Sequence, residues 1–332
     1  MKHLIFGTGL IGSFLGGGLH NAGFDVSFLA RKRQIEAMKS GFTVSALDGP
    51  KVALPPPVFT DQKETEMFNI VWLTVKCTAV ADCMKELENY IKDGSIIVCC
   101  QNGFGSEAIV KSSFPNITVL TATVGFNVAN QGDQHFHRST QGSLVVESHD
   151  KVKSVVELLD KNLLPSHLSS DIHAERWAKL QLNLANPVNA LADIPTKAMT
   201  EDRDYRLVIA ALMSELLKVV NRMGISLPKL TALPASYLPG LMKLPNFLYL
   251  RLAQRTLAID PTARVSMWWD LSQNKKTEID FLNGSVVNQA KELGIECPVN
   301  ERIIELIKEV ETGKRQMGIS GKELQSLLGV EI

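Results

Sequence analysis

The feature that most constrains the fold is a glycine-rich turn close to the start of the chain. An apolar run of strand length, Lys2 to Phe6, is followed by GTGLIG (residues 7–12), and Leu10 to Leu19 has the composition of a helix. The pattern G-x-G-x-x-G between a strand and a helix is typical of a dinucleotide-binding unit. Its first glycine permits a tight turn, its second lets the backbone approach a pyrophosphate, and its third brings the helix close to the sheet.

A second predicted strand supports this interpretation, because Phe24 to Leu29 follows the helix after a turn at Ala22-Gly23. The alternative is a chance occurrence of the pattern in a glycine-rich loop. In a dinucleotide site, the phosphate contacts the N–H groups and the positive dipole end of the helix. The residues predicted to bind the cofactor in this way are Gly7, Gly9, Leu10, Ile11 and Gly12.

The end of the second strand indicates which dinucleotide binds. NAD sites usually place an Asp or Glu about 20 residues past the glycines, where it holds the ribose 2′-hydroxyl. Here the chain reads Leu29-Ala30-Arg31-Lys32-Arg33, which contains no acidic residue. A guanidinium group suits a 2′-phosphate, whereas a carboxylate would repel it. Arg31 therefore favours NADP as the cofactor, with a solvated basic turn as the alternative.

Two further apolar runs end in polar residues. Phe68 to Val75 and Ser95 to Cys100 have the nearly continuous apolar composition of central parallel strands, and Lys76 and Asn102 follow them. Ligands of open α/β sheets bind outside the carboxyl ends of the strands, so both residues are predicted to face cofactor and substrate. Taken singly, a solvated charge at Lys76 and an ordinary turn at Asn102 explain the sequence equally well.

The remaining histidines and cysteines do not indicate a metal site. His135 and His137 alternate as they would on one face of a strand, and without an adjacent carboxylate or cysteine they are interpreted as plain strand residues. The five cysteines form no CxxC pair, which favours buried thiols in a reducing compartment over disulfides or zinc. No metal is predicted.

Composition narrows the class of protein. The 332 residues suit two domains better than one core. The 35 basic and 35 acidic side chains cancel, so no overall field attracts nucleic acid or an anionic membrane, and neither partner is expected. The chain lacks a run of about 18 uninterrupted apolar residues and an A-x-A-like cleavage site, which predicts a cytoplasmic protein without a spanning helix or signal peptide.

Helical periodicity replaces the strand pattern from near residue 169, and the predicted boundary separates domains 1–170 and 171–332. In the second domain Lys179, Asn183 and Asn186 are spaced i, i+4 and i+7, which predicts an amine and two amides on one helical face. Burial of these polar groups costs free energy unless they contact polar partners, and the alternative is a helical face exposed to solvent. Glu278 is predicted to lie in a helix whose apolar positions face the core.

These motifs occur in the order found in the ketopantoate reductase family, which the chain resembles over almost its full length. The resemblance rests on GTGLIG, Arg31, VKC around Lys76, QNGFG around Asn102, W-x-K-L-x-x-N around Lys179, S-M-x-x-D from Ser266 and TEIDFLNG around Glu278. It implies an α/β fold, with an N-terminal Rossmann domain and a C-terminal all-helical domain. It also implies NADPH-dependent reduction of a small 2-oxo acid to a 2-hydroxy acid, with 2-dehydropantoate to pantoate, in pantothenate biosynthesis, expected first.

The resemblance further implies roles for individual residues. Lys179 corresponds to the general acid, and Glu278 to a carboxylate beside the reacting oxygen. An amine suits the first role because hydride transfer to a ketone leaves negative charge on the oxygen. Asn186 departs from the pattern of many members, in which the second asparagine stands eight residues after the lysine rather than seven. Positions that correspond to substrate-binding residues are Asn102, Asn183, Asn186 and Ser266, and Lys76 and Asn102 correspond to residues near the nicotinamide.

Several alternatives stay open at this point. A reductase of the same two-domain plan can act on another 2-oxo acid or on an imine formed with an amino acid. A non-catalytic NADP sensor is the third alternative, which the presence of Lys179 and Glu278 disfavours. Residues 226–258 form an apolar segment with four prolines, interpreted as helical core, as a reshaped substrate pocket or as an oligomer contact, such as that of a homodimer.

Overall fold

The computed structural model describes residues 1–47, 49–60, 66–253 and 262–330. Contacts divide the chain into two compact units, Met1–Glu175 and Arg176–Ile332. The division falls inside a helix, five residues after the boundary expected at residue 170. The cofactor and substrate roles of the two units stay predictions.

The first unit is built from strands and connecting helices. Its helices are α1 (Leu10–Asn21), α2 (Lys32–Met38), α3 (Val80–Leu87), α4 (Ser106–Ser113) and α5 (Asp150–Lys161). Its strands are β1 (Lys2–Phe6), β2 (Asp25–Leu29), β3 (Phe42–Ser45), β4 (Lys51–Leu54), β5 (Val58–Phe59), β6 (Ile70–Leu73), β7 (Ile96–Cys99), β8 (Thr118–Val124), β9 (Val128–Asn130), β10 (His135–Arg138), β11 (Leu144–Glu147) and β12 (Ser166–Ser169).

Within the described residues, the main sheet has the order β12-β11-β8-β7-β6-β1-β2-β5. The six strands from β8 to β5 pair in parallel, whereas β11 runs antiparallel to β8. This is the doubly wound arrangement, in which the strand order reverses between β1 and β6. The prediction of an N-terminal Rossmann domain is therefore confirmed, and the reversal marks where such sheets bind their ligands.

The central strands are buried because helices cover both faces of the sheet. Ile5 packs with Phe14 of α1 on one face, and Leu4 packs with Val80 of α3 on the other. His3 is fully buried among these strands, and its Nδ1 accepts a hydrogen bond of 3.1 Å from Trp72 Nε1. Burial lowers the pKa of His3 to about 4, because a charged imidazole is poorly solvated there.

A smaller sheet of order β4-β3-β10-β9 packs against α1. His135 and His137 lie on one face of β10, as predicted. Ser45 Oγ on β3 lies 2.7 Å from His135 Nε2 and 2.8 Å from His137 Nδ1. The residues that the structure describes contain no group of three or more His, Cys, Asp or Glu side chains able to hold a metal ion.

The described residues of the second unit form helices joined by loops and contain no strand, which confirms the prediction for the C-terminal domain. Helix α6 begins just before the division and continues into this unit. The helices are α6 (Ile172–Asn183), α7 (Ala185–Ala192), α8 (Thr196–Glu201), α9 (Arg203–Arg222), α10 (Leu238–Lys243), α11 (Asn246–Ala253), α12 (Ser266–Ser272), α13 (Asn283–Leu293), α14 (Pro298–Glu311) and α15 (Gly321–Leu328).

The long helix α9 organises this unit, and α10, α13, α14 and α15 all pack against it. Its first turn is capped by Asp202, whose carboxylate accepts from the Asp204 N–H at 2.8 Å. The buried guanidinium of Arg206 donates to the carbonyl oxygens of Met242 and Leu244 and lies 3.9 Å from the centre of the Tyr249 ring. These contacts fasten α10 and α11 to α9.

The apolar segment that contains α10 and α11 is largely exposed. Phe247 is 72% exposed and Leu252 is 66% exposed, whereas Tyr249 is buried. The interpretation as helical core therefore fails for these side chains, and residues 254–258 of the segment lie outside the described residues. Among the helices that the structure describes, none combines the length and the apolar character needed to cross a membrane.

Candidate active site

The glycine turn is shaped for close backbone approach. Gly7 has a φ of +109°, and a Cβ there would lie 2.7 Å from Val75 Cγ1. A Cβ at Gly12 would lie 2.2 Å from the Gly7 oxygen, which explains why these two positions exclude side chains. Gly9 is exposed, and a Cβ there would meet no heavy atom within 4 Å. The turn is thus tight on its inner side and open at Gly9, as a phosphate cradle requires.

Helix α1 starts directly after this turn, so its first N–H groups lack acceptors within the helix. These groups belong to Leu10, Ile11 and Gly12, and they can donate to a phosphate at the positive end of the helix dipole. Thr8 Oγ1 donates to the Leu29 oxygen at 2.8 Å, which ties the turn to the end of β2. The residues present therefore fit a dinucleotide, while their individual roles stay predictions.

Arg31 stands just beyond β2, in extended backbone immediately before α2. Its side chain is exposed, and the sequence places it two residues after Leu29, the anchor of Thr8. An exposed guanidinium at this strand end is accessible to an anionic ligand. The position is thus compatible with the predicted contact to a 2′-phosphate.

Lys76 and Asn102 follow β6 and β7, which are neighbours in the sheet. Lys76 is exposed and Asn102 is half-buried. The Cys77 thiol donates to the backbone carbonyl oxygen of Asn102 at 3.1 Å, so the two strand-end loops are joined directly. The structure therefore brings these two predicted residues to one edge of the sheet.

Two polar side chains that the sequence reasoning missed hold these loops. Thr74 Oγ1 donates to the Gly7 oxygen at 2.7 Å, which links the glycine turn to β6. Gln101 Nε2 donates to the Leu73 oxygen at 2.7 Å and to the Val75 oxygen at 3.0 Å. Thr74 directly precedes the VKC motif and Gln101 is the first residue of QNGFG, and their position at strand ends was the available signal.

The polar stripe expected in the second unit is interrupted. Lys179 and Asn183 stand one helical turn apart on α6, and both are half-buried. Helix α6 ends at Asn183, however, and Asn186 belongs to α7, which starts at Ala185. The prediction of one continuous helix through all three residues is therefore wrong. Leu184, between the two helices, keeps right-handed helical dihedrals, with φ −64° and ψ −13°.

Glu278 does not lie in a helix, which corrects the sequence-based prediction. It is half-buried in a turn between α12 and α13, and α13 begins only at Asn283. The backbone carbonyl oxygen of Glu278 accepts from the N–H groups of Phe281 and Leu282, and Ile279 and Leu282 are buried beneath the turn. The apolar pattern that suggested a helix reflects this buried turn instead.

Ser266 is the first residue of α12 and is exposed. The backbone N–H of the preceding Val265 donates to the side chain of Asn189, a buried residue of α7, at 3.3 Å. Arg264 pairs with Asp193 at 3.0 Å and lies 4.1 Å from the centre of the Trp268 ring. The charge of Arg264 is thus matched by a carboxylate of the same unit.

Comparison with known proteins identifies the family. A family model described as "Ketopantoate reductase PanE/ApbA" matches residues 3–151, and one described as "Ketopantoate reductase PanE/ApbA C terminal" matches residues 171–311. The chain belongs to the ketopantoate reductase family. Membership makes it an oxidoreductase, and with the glycine turn it assigns a nicotinamide dinucleotide as the class of cofactor.

Curated relatives in the ketopantoate reductase family match the chain from end to end. The 2-dehydropantoate 2-reductase of Archaeoglobus fulgidus is 28% identical over 315 residues, which cover 93% of this chain and 97% of the relative. The enzyme of the same name from Pyrococcus horikoshii is 27% identical over 320 residues, covering 94% and 98% respectively.

Solved structures share the fold. A ketopantoate reductase from Ralstonia eutropha JMP134 has a TM-score of 0.79 at 23% identity and covers 95% of this chain and all of its own. A D-mandelate dehydrogenase with NADH and anilino(oxo)acetate has a TM-score of 0.75 at 21% identity, with coverages of 94% and 99%. A dimeric ketopantoate reductase from Staphylococcus aureus has a TM-score of 0.72 at 16% identity, covering 95% and 100%.

Proposed function

We propose that this oxidoreductase reduces a small 2-oxo acid to the 2-hydroxy acid with NADPH, and that 2-dehydropantoate is its substrate. The observation that carries the proposal is the pair of half-buried residues on α6, where the Lys179 amine precedes the Asn183 amide by one helical turn. A cationic acid beside a neutral hydrogen-bonding group suits a ketone next to a carboxylate. Both relatives described above carry the name 2-dehydropantoate 2-reductase, which supports this choice.

NADPH supplies the hydride when it is bound. Gly7, Gly9 and the N–H groups at the start of α1 hold the pyrophosphate, because this turn leaves room for it and points donors at it. Arg31 binds the 2′-phosphate through its exposed guanidinium. Lys76 and Asn102 contact the nicotinamide end of the cofactor from the edge of the sheet that the β6 and β7 loops form.

Lys179 acts as the general acid. Its ammonium group stabilises the negative charge that develops on the carbonyl oxygen and delivers a proton to that oxygen. Glu278 orients the hydroxyl that is formed, and the backbone that carries this side chain is held by the hydrogen bonds of its turn. Asn183, Asn186 and Ser266 bind the substrate carboxylate as uncharged donors.

The charge pattern favours a substrate with a single carboxylate. Binding a second carboxylate calls for a further arginine, and Arg264 is already paired with Asp193 and stacked on Trp268. A second anionic group on the substrate therefore gains little from Arg264. The other arginine close in sequence to the proposed substrate residues is Arg176 on α6, and the pairing of Arg264 favours small monoanionic 2-oxo acids over dicarboxylates.

The deciding experiment is a panel of 2-oxo acids, with and without added amines, followed by the loss of NADPH absorbance. We expect turnover with 2-dehydropantoate at a higher kcat/KM than with any other member. Faster turnover with another 2-oxo acid would replace the substrate and keep the chemistry. Turnover only with an amine present would indicate imine reduction, and no turnover with any member would overturn the proposal.

We also propose that the protein acts in the cytoplasm as a homodimer. The Staphylococcus aureus neighbour is described as dimeric. Phe247 and Leu252 of α11 expose apolar surface that a second copy would cover by symmetric contact. Light scattering should give twice the chain mass, and the double substitution Phe247→Ser, Leu252→Ser should give the mass of one chain. A wild-type mass of one chain would exclude the dimer.

A further inference from the structure

The turn that carries Glu278 is held on both sides by helix α14. The backbone N–H of Thr277, the residue before Glu278, donates to the Glu311 carboxylate at 2.7 Å. Two residues after Glu278, the Asp280 carboxylate pairs with Lys308 Nζ at 2.7 Å. Both partners, Glu311 and Lys308, lie in the last turn of α14. The end of this helix therefore contacts the turn before and after the proposed catalytic residue Glu278.

Between these two contacts with α14, the backbone of the turn has little freedom to move. Phe281 N–H and Leu282 N–H donate to the backbone carbonyl oxygen of Glu278 at 3.0 Å and 3.1 Å. Ile279 is 1% exposed, so the segment is also anchored by apolar burial. A displacement of Thr277 therefore moves the Glu278 backbone rather than being absorbed by a flexible loop.

Helix α14 is in turn fixed at its start. The buried carboxylate of Glu215 on α9 accepts from the backbone N–H groups of Val299 and Asn300 at 3.0 Å and 2.9 Å. The Asn300 side chain also bonds to Glu215, at 2.7 Å, and accepts from Asn283 Nδ2, at 3.0 Å. These contacts connect α14 to α9 and α13, so the helix provides a rigid support for the turn.

The two contacts between α14 and the turn differ in strength. Lys308 and Asp280 form a surface ion pair with side chains that are 49% and 62% exposed, and such pairs stabilise little. The Glu311 contact is a charged acceptor bonded to the amide of Thr277, a buried residue, and charge-assisted bonds of this kind are the stronger ones. Glu311 is therefore the main support.

We propose that Glu311 is a positioning residue, which sets the Glu278 carboxylate for the reaction through the Thr277 amide. The proposal rests on the proposed function, because it requires that Glu278 contacts the reacting oxygen. Glu311 itself acts only through the turn and does not touch the substrate.

The test compares Glu311→Ala, Glu311→Gln and Glu305→Ala in the full-length enzyme. Misplacing a positioned group by a fraction of an ångström lowers kcat steeply, and we expect a loss of about tenfold for Glu311→Ala. The amide oxygen of Glu311→Gln still accepts from Thr277, so this variant should keep kcat within about twofold of wild type. Glu305 is exposed on the same helix and pairs with Arg302, which makes Glu305→Ala the matched control.

A double substitution separates positioning from general destabilisation. Adding Glu311→Ala to Glu278→Gln should cost less than about twofold in kcat, because the group that it positions is already impaired. Full additivity, or equal loss in Glu311→Gln and Glu311→Ala, would overturn the proposal. If Glu278→Gln alone retains wild-type turnover, the role of Glu278 in the proposed function fails instead.

Should Glu311→Ala fail to fold, Glu311→Asp provides the same comparison. Its carboxylate is one methylene shorter and no longer reaches Thr277 from the same helix position. A loss of kcat in this variant at an unchanged melting temperature supports the positioning role. Wild-type kcat in the folded Glu311→Asp variant contradicts it.

Discussion

The two units hold their predicted functional residues in different ways. In the first unit, loops at neighbouring strand ends are joined by short local bonds, from Thr74 to Gly7 and from Gln101 to Leu73 and Val75. In the second unit, Glu278 depends on α14 and Ser266 follows a residue anchored by α7. Parallel strands bring their carboxyl ends together by topology, whereas a helical unit needs specific long-range contacts to fix each functional group.

Because of this difference, substitutions in the two units should impair different properties of the enzyme. Changes in the first unit should alter cofactor binding and leave the proton-transfer chemistry intact. Changes in the second unit should alter turnover and leave cofactor affinity intact. The experiments on Lys179, Arg31 and Gln101 below therefore compare kcat with substrate and the Kd for NADPH without it, whereas that on His3 measures the stability of the fold.

The largest effect is expected for Lys179→Ala. Loss of a general acid typically costs about a hundredfold or more in rate, so kcat should fall by at least that factor. Steady-state kinetics measures the loss, and fluorescence titration should show an unchanged Kd for NADPH. Lys197→Ala on α8, which loses only a partly exposed contact with Glu201, is the control and should retain activity. Near wild-type turnover in Lys179→Ala would make this residue structural.

Arg31→Ala should give the next largest effect and confine it to the cofactor. Losing the guanidinium should weaken NADPH binding by about tenfold, or about 1.4 kcal/mol, while NADH binding changes little. Wild type should accordingly prefer NADPH by at least about tenfold. Arg33→Ala, which removes an exposed arginine from the first turn of α2, is the matched control. Equal affinities of wild type for the two cofactors contradict the NADP assignment.

His3 should make the first unit sensitive to acid. Its folded pKa of about 4 lies below the ordinary value of 6.5, so the unfolded chain binds the proton more readily. Stability is therefore fully present above pH 6.5 and is lost as the pH falls from 6.5 towards 4. Between pH 7 and 5.5 the loss is about 1 kcal/mol. Urea unfolding at the two pH values measures it.

The control for His3 keeps the hydrogen bond and removes the titration. In His3→Gln the amide oxygen still accepts from Trp72 Nε1, and the difference in stability between the two pH values should shrink. His20→Gln changes an exposed histidine of α1 and should leave the difference unchanged. An equal pH difference in wild type and His3→Gln would show that another group is responsible.

The smallest effect is expected for Gln101→Glu. A carboxylate cannot donate to the Leu73 and Val75 oxygens, so the strand-end loops should loosen and the Kd for NADPH should rise by about threefold. Gln325→Glu makes the same chemical change where Gln325 donates to the Asp204 oxygen in the second unit. It should lower the melting temperature and leave the Kd unchanged. A rise of equal size in both variants would erase the contrast between the units.

Local patterns predicted the first unit well. Lys2 to Phe6 is a strand with the expected bounds, and the helix after Gly9 starts at Leu10 as expected. The turn glycines were identified from their spacing between the strand and the helix of one βα unit. A Cβ at Gly12 would meet the Gly7 oxygen within that unit, whereas the contact that excludes a side chain at Gly7 comes from Val75, which follows β6. His3 was missed because its burial depends on Trp72, which is distant in sequence.

The second unit was predicted less well for a physical reason. Periodicity continued the helix through Leu184 and placed Glu278 in a helix, and both predictions were wrong. A helical period does not distinguish a helix from a turn that buries Ile279 and Leu282 on the same side. Contacts such as Thr277 with Glu311, 34 residues apart, decide the outcome and leave no local signal.

The serine between two histidines on the smaller sheet links their tautomers. Ser45 has one hydroxyl proton, so it donates to only one of the two facing ring nitrogens and accepts from the other. With both rings neutral, either His135 carries its hydrogen on Nε2 or His137 carries its hydrogen on Nδ1. If the ring that accepts from Ser45 is protonated, its facing nitrogen also becomes a donor. Both rings then donate to the Ser45 oxygen, and the hydroxyl hydrogen points away from them. The Ser45 hydroxyl thereby couples the two histidines, so that the tautomer of His135 determines that of His137, two residues later on β10.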